Sequence, residues 1–495
     1  MVPGSSAATT ANRAPEYRPA KGTRYFVDSI KGNDAQSGKN PENAWKSLDR
    51  VSGATFEPGD EILFRSDATW EGTLGLSCSG TPDRPIIVGR YGRGSLPVIS
   101  GAGERHAVYM KNPEHMVVRD LELTNPGEGT DVLRGGIFAD WDEGGNFRNI
   151  RLSNLHIHDV RGVTSRGTRP SFYQNGAVYF SASNPETIVQ DICVEDCHIH
   201  DIWGMGCRFR SSAERPTIRN PVFRHNRVER TGADALIMTH CVSPVVEHNR
   251  CYDAGGLGTE ATAYIAGIWV GWYTHNSIFQ CNEVARTRTF KGDGNAFDVD
   301  NECSGIHIFQ YNYTHGNEGG PLMVMPSARA DRILFRYNVC VNEYDQPHPQ
   351  GHEAFWVPAS GKSPVSIYNN TFYNDNGSRV TITDNPRVSV KNNIFCLKNG
   401  KHTYPERPTF DHNCFCGDID APDGNKVTGD PALLRPGTDA DGMDTANAYR
   451  IGPDSACRDA GVEIDENGGR DFWGTPLYAD KPDIGAHEFV AHPEE

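Results

Sequence analysis

At 495 residues, with 52 Gly, 31 Pro and only 37% hydrophobic residues, the chain has the profile of a turn-rich β protein and not of a helical bundle. A net charge of −16 argues against a nucleic-acid partner or an anionic membrane surface. No apolar run reaches the roughly 18 residues that cross a bilayer as a helix.

The 13 Cys are odd in number and scattered, without paired C-x-x-C spacing, which disfavours zinc and favours buried thiols within strands. Residues 1–20, rich in Ser, Ala, Thr and Pro, predict a flexible leader of the kind left after signal removal, so an extracellular protein is expected. Residues 21–100 predict an N-terminal cap with the first coils of an elongated core. Within them Trp45 to Val51 is expected as a short helix, and Glu61 to Arg65 as a strand after a Pro-Gly-Asp turn.

The order YFVD, G-N-D, P-x-x-A-W-K-S-L, F-x-P-G-D-x-I-L-F and G-T-P-D-R-P-I, echoed near the far end by RDFWGTP and DIGAHEF, resembles the secreted pectate-lyase-like superfamily. The resemblance implies an all-β, right-handed parallel β-helix and a carbohydrate-active enzyme, and it leaves the substrate open.

Repeats within residues 101–409 lead to the same solenoid independently. AVYMK at Ala107, GIFAD at Gly136, AVYFS at Ala177, GCRFR at Gly206, ALIMT at Ala235, GIWVG at Gly267, AFDVD at Ala296, PLMVM at Pro321, AFWVP at Ala354 and RVTIT at Arg379 share one pattern. A usually small residue is followed by alternating apolar and variable positions at spacings of 25 to 41 residues, the repeat of one β-helix coil. A second set of runs ends at Asn154, Asn226, Asn249, Asn282, Asn312, Asn338, Asn370 and Asn393, with Asp196 in the equivalent place. That recurrence predicts a corner ladder of side-chain hydrogen bonds. From residue 410 the repeat fades, and 410–495 is expected to pack as a tail along the solenoid.

Strand side chains alternate, so the second and fourth positions of each run point inward and the third and fifth outward. The third-position column reads Tyr109, Phe138, Tyr179, Arg208, Ile237, Trp269, Asp298, Met323, Trp356, Thr381. An outward aromatic stripe suits the apolar faces of sugar rings, unless loops fold over it. Asp298 and Asp300 share one strand face, and Asp293 lies in the preceding turn. Crowding of the three raises at least one carboxyl pKa, as a general acid requires. The expected catalytic residues are therefore Asp298, Asp300 and Asp293. Substrate contacts are expected from Trp269, Arg208, Arg210, His240, Trp272, Glu318, Trp356 and Tyr179, and Asp234 and Glu353 precede neighbouring runs.

Two carboxyls serve glycoside hydrolysis of a polysaccharide or oligosaccharide, with no cofactor and no metal. A lyase of the same fold would instead use calcium on Asp293, Asp298, Asp300 and Glu318, with Arg208, Arg210 or Lys291 as base. A non-catalytic carbohydrate-binding solenoid is the third class. The aromatic stripe favours the hydrolase, because a polyuronate groove needs more Lys and Arg. Sugar identity, linkage, stereochemistry and oligomeric state leave no mark in these patterns.

Overall fold

The computed structural model describes residues 22–490, with breaks at 166, 168–170, 260–261, 263, 344–354, 359, 378–381, 383, 399–403, 417–420 and 479–480. Among the described residues, three parallel sheets of 16, 10 and 13 strands carry the chain from Arg24–Val27 to Cys414–Phe415 as a parallel β-helix.

The 10-stranded sheet is built from the repeated runs. His106–Lys111, Gly135–Asp140, Gly176–Ala182, Met205–Ser211, Leu236–Thr239, Ile268–Gly271, Asn295–Val299, Gly320–Val324 and Phe355–Trp356 follow one another across it. The register is the one the run alignment predicts: Tyr109 pairs with Phe138, Phe138 with Tyr179, Tyr179 with Arg208, and Arg208 with Ile237. The column continues through Trp269, Asp298, Met323 and Trp356. Of the tenth run, at Arg379, only Ile382 is described, buried in the core, and the leader lies outside the described residues.

The alternating apolar positions fill the solenoid. Val178, Phe180, Cys207, Phe209, Leu236, Met238, Phe297 and Val299 are all buried in one continuous core. Phenyl rings stack down it one strand spacing apart, Phe180 on Phe209 at 4.8 Å and Phe279 on Phe309 at 4.8 Å. Cys207, Cys251 and Cys340 sit in the same core as small apolar residues.

At the N-terminal end the helix is Leu48–Ser52, shorter than expected because the Ser47 side chain caps it by accepting from Arg50 N. Leu48 and Val51 close the core there, with Trp45 and Phe56. Glu61–Arg65 is a strand. Among the described residues no helix is long and apolar enough to cross a membrane.

The Asn ladder is present, with a shift at its start. From Asn226 to Asn393 each Asn amide group and backbone N–H point to the Oδ1 of the next Asn, as in Asn282 N to Asn312 Oδ1 at 3.0 Å and Asn312 N to Asn338 Oδ1 at 2.9 Å. It extends one coil further, to Asn413. The left-handed corner belongs to the preceding residue, such as His225, His248, Cys281, Tyr311 and Tyr337. Asn154 and Asp196, with positive φ of 50° and 54°, sit at that corner position and not in the ladder. The equivalent ladder place one coil before Asn226 is Cys197, whose N–H donates to Asn226 Oδ1.

Candidate active site

The outward face of the 10-stranded sheet positions the site. Gly271 has no side chain, and a Cβ there would stand 2.9 Å from Asp300 Cβ, so the glycine makes the room that Asp300 occupies. Asp298, one pleat earlier, lies between Trp269 and Met323 on the adjacent strands. Asp293 belongs to a short ribbon in which Gly292–Asp293 pairs with Tyr264–Ile265, and its φ of 62° is left-handed. A non-Gly residue held there is a strained position that surrounding structure must maintain.

The three acids differ in access. Asp298 is 5% exposed and its Oδ1 is buried without a hydrogen-bond partner, whereas Asp293 and Asp300 are half-buried. Burial first, then the charges of Asp300, Asp293 and Asp234, push the Asp298 carboxyl well above the usual carboxylate range. Asp300 keeps an ordinary local contact, accepting from Asn301 N at 2.7 Å. Asp234 accepts from Ala266 N at 2.9 Å and so fixes the segment that covers Trp269.

That covering changes the expected aromatic face. Trp269 is 4% exposed, packed with Phe172, Ile237 and Ala266 in a second hydrophobic cluster outside the solenoid. The segments around Phe172–Gln174 and Ala266 fold over the sheet, so Trp269 is a buried support and not an open sugar platform. Tyr179 and Arg208 are also buried, Arg208 lying over the Tyr173 and Tyr179 rings at 5.1 and 5.6 Å. Arg208 Nη1 donates to the Tyr173 carbonyl. Tyr109 and Phe138 remain half-buried, stacked at 5.9 Å.

A cavity of about 590 Å³ opens beside this cluster, lined by Tyr173, Tyr179, Arg208, Arg210, His240, Trp272 and Tyr273 among others. Its size falls within the roughly 300–1,000 Å³ of small-ligand sites. His240 Nδ1 and Arg208 Nε are buried in its wall without hydrogen-bond partners. Burial, with Arg210 and Arg208 nearby, pushes the His240 imidazole down to about 4, so it is neutral at physiological pH. Arg210 is exposed and Trp272 half-exposed, edge-on to Trp269 at 5.4 Å.

Asp298 and Asp300 share a wall with Arg208 and Arg210, but three strand steps, about 14 Å, separate them, so the arginines do not touch the acids. Trp272 joins the two regions: it lines the cavity, and its backbone N–H donates to the carbonyl of Asn301, next to Asp300. Glu318 is engaged elsewhere, accepting from Arg288 Nη1 at 2.6 Å and Thr289 N at 2.7 Å, which anchors the strap that carries Asp293. Glu353 and the Trp356 side chain lie outside the described residues. The sequence reading missed Tyr173, Gln174 and Tyr273, which belong to corners and loops outside the repeat and carry no periodic signal.

The fold and wall define a parallel β-helix with a carboxyl cluster beside a polar-aromatic cavity. No family model matches the chain. It is 26% identical over 496 aligned positions to a lacto-N-biosidase of Bifidobacterium longum subsp. longum, across 80% of this chain and 30% of that protein. The chain therefore spans under a third of that relative's length. The native crystal structure of a GH136 lacto-N-biosidase from Eubacterium ramulus superimposes with a TM-score of 0.61 at 25% identity, covering 78% of this chain and 68% of that one. XylC in complex with xylose shares the fold, with a TM-score of 0.54 at 12% identity over 94% of this chain and 98% of that one.

Proposed function

We propose that this protein is a glycoside hydrolase that cleaves oligosaccharides at the Asp293, Asp298 and Asp300 cluster, with the adjoining cavity holding the sugar. The observation that carries the reading is the pairing of a buried, proton-retaining Asp298 with half-exposed Asp293 and Asp300 beside the cavity wall at Trp272. The likeness to lacto-N-biosidases over most of the chain supports hydrolysis over elimination.

The chemistry follows from charge. Three carboxylates this close do not all ionise, and the proton rests on Asp298 because burial penalises its charged form most. Asp293 and Asp300, the members open to solvent, present carboxyl groups to a bound glycoside. One takes the proton from Asp298, which is left as the anion, and passes it to the leaving oxygen, while the other, ionised, faces the anomeric carbon as nucleophile or water-activating base. These groups supply both functions, so the proposed reaction needs no resident cofactor. In the cavity, the unsatisfied His240 Nδ1 and Arg208 Nε meet sugar hydroxyls, while Trp272 offers a ring face or edge. The proposed setting is extracellular, where such oligosaccharides are encountered.

The relatives make lacto-N-biose-terminated oligosaccharides the first substrates to assay. The test is an oligosaccharide panel followed by both reducing-end release and ultraviolet absorbance of unsaturated products. New reducing ends without absorbance, lost in Asp293→Ala and Asp300→Ala proteins that keep the circular dichroism of the parent, are the expected result. Absorbance growth that EDTA abolishes would instead establish a lyase.

A further inference from the structure

The sheet on another side of the solenoid carries a second constellation. HIHDV at His156–Val160 and HIHDI at His198–Ile202 are adjacent strands, with His156 opposite His198 and His158 opposite His200. Ile157 and Ile199 point into the core, so the four imidazoles form a two-by-two array on the outer face. Glu122 on the preceding strand and Glu229 on the following one flank the array.

The rings are oriented by carboxylates. His200 Nδ1 is 2.7 Å from Asp201 Oδ2, and Asp201 is clamped by Arg230 at 2.8 Å. His158 Nδ1 is 2.9 Å from Asp159 Oδ2. An Nδ1–H donated to a carboxylate leaves Nε2 as the lone-pair atom, the arrangement that prepares histidine for a metal. His200 Nε2 in turn stands 2.8 Å from His156 Nε2. His198 Nε2 meets Glu229 Oε2 at 2.9 Å, which leaves its Nδ1 as the lone-pair atom. One ligand atom from each of His156, His198 and His200 lies within 4.8 Å of the others, and the same holds for Glu122, His156 and His158.

The geometry points to a divalent transition-metal site: we propose that His156, His198 and His200 bind one ion of the nickel, copper and zinc group, with Glu122 and His158 at its flank. Two nitrogens 2.8 Å apart, each about 2.0–2.1 Å from a shared ion, subtend about 85°. That angle belongs to octahedral or square-planar coordination, so Ni²⁺ and Cu²⁺ fit better than tetrahedral Zn²⁺. Without the ion His156 Nε2–H donates to His200 Nε2. Binding moves the His156 proton to Nδ1, where Glu122 Oε2 stands 3.8 Å away. Hard cations such as Ca²⁺ are not suited to this imidazole set.

The constellation lies on a different sheet from the acidic cluster, so its test is independent of the proposed hydrolysis. Tag-free protein stripped with a chelator is titrated calorimetrically with NiCl₂, ZnCl₂ and CaCl₂. One equivalent of Ni²⁺ is expected to bind more tightly than Zn²⁺, and Ca²⁺ not at all. His156→Ala and His200→Ala should each abolish saturable uptake, Asp201→Asn should weaken it roughly 10–100-fold, and the remote His412→Ala should leave it unchanged. With Cu²⁺ the parent protein should give an electron paramagnetic resonance spectrum with splitting from imidazole nitrogens. No saturable Ni²⁺ uptake, uptake retained in both histidine variants, or a Cu²⁺ spectrum without nitrogen splitting would overturn the site and leave a stacked histidine ladder alone.

Discussion

Asp298 is held where its charge is disfavoured, and that has a consequence for stability. Its folded-state pKa is raised, so the folded protein keeps a proton that the unfolded chain releases near pH 4. The contribution to stability is complete below that value and declines as pH rises above it. Asp298→Asn removes the penalty while preserving shape. We expect the variant to melt roughly 1–2 °C above the parent at pH 7, with the difference vanishing near pH 4, and glycoside cleavage to fall at least about 100-fold. Melting curves at the two pH values, beside a rate assay, check both halves. A variant–parent difference that is the same at pH 7 and pH 4 would show that the Asp298 pKa is not raised in the folded protein.

The Asn ladder shows how one element type stabilises many coils. Asn312 Oδ1 accepts from the Asn282 backbone N–H at 3.0 Å and from its amide at 3.1 Å. Its own amide reaches the Phe279 carbonyl at 3.0 Å and Asn338 Oδ1 at 3.0 Å. Asn312→Ala leaves the Asn282 N–H buried and unpaired, at a cost of about 1–3 kcal/mol. Asn154, exposed at the neighbouring corner position, is expected to cost about 1 kcal/mol when replaced by Ala. Denaturant unfolding of the two variants measures the contrast. Equal losses would mean that the ladder adds nothing beyond corner geometry.

At the scale of the molecule, the C-terminal segment packs sideways against the 13-stranded sheet. Ala446, Tyr449, Ile451, Cys457 and Ile484 bury against Tyr313, Val339, Tyr373 and Ile394. Ionic contacts, such as Arg332 with Glu466 at 2.8 Å, hold the outer rim. Tyr449 is fully buried, with its ring 5.5 Å from Tyr373. Tyr449→Ala is expected to cost about 3–5 kcal/mol at that contact, and limited proteolysis should release the tail before it cuts the solenoid. Cleavage within the coils first would place the weak point elsewhere.

What the sequence determined by itself is the solenoid and its register. Parallel coils stack each residue on its counterpart one repeat away, so an alignment of runs is already a map of neighbours. Tyr179 beside Arg208, Trp269 beside Asp298 and the Asn282 to Asn312 step could all be read from spacing. The ladder's start could not, because Asn154 and Asp196 differ from ladder members by one residue at a corner whose conformation the letters do not reveal. Only the tertiary structure decided what covers the outward face. Phe172, Tyr173 and Ala266 come from loops with no period; they turn Trp269 from an expected platform into a buried support, and Tyr173 lines the cavity together with Trp272 and Tyr273. The Gly271 to Asp300 contact that makes room for the acid is the residue-scale remnant of both. Repetition fixes neighbours along the stack, whereas loop placement depends on packing between segments that share no repeat.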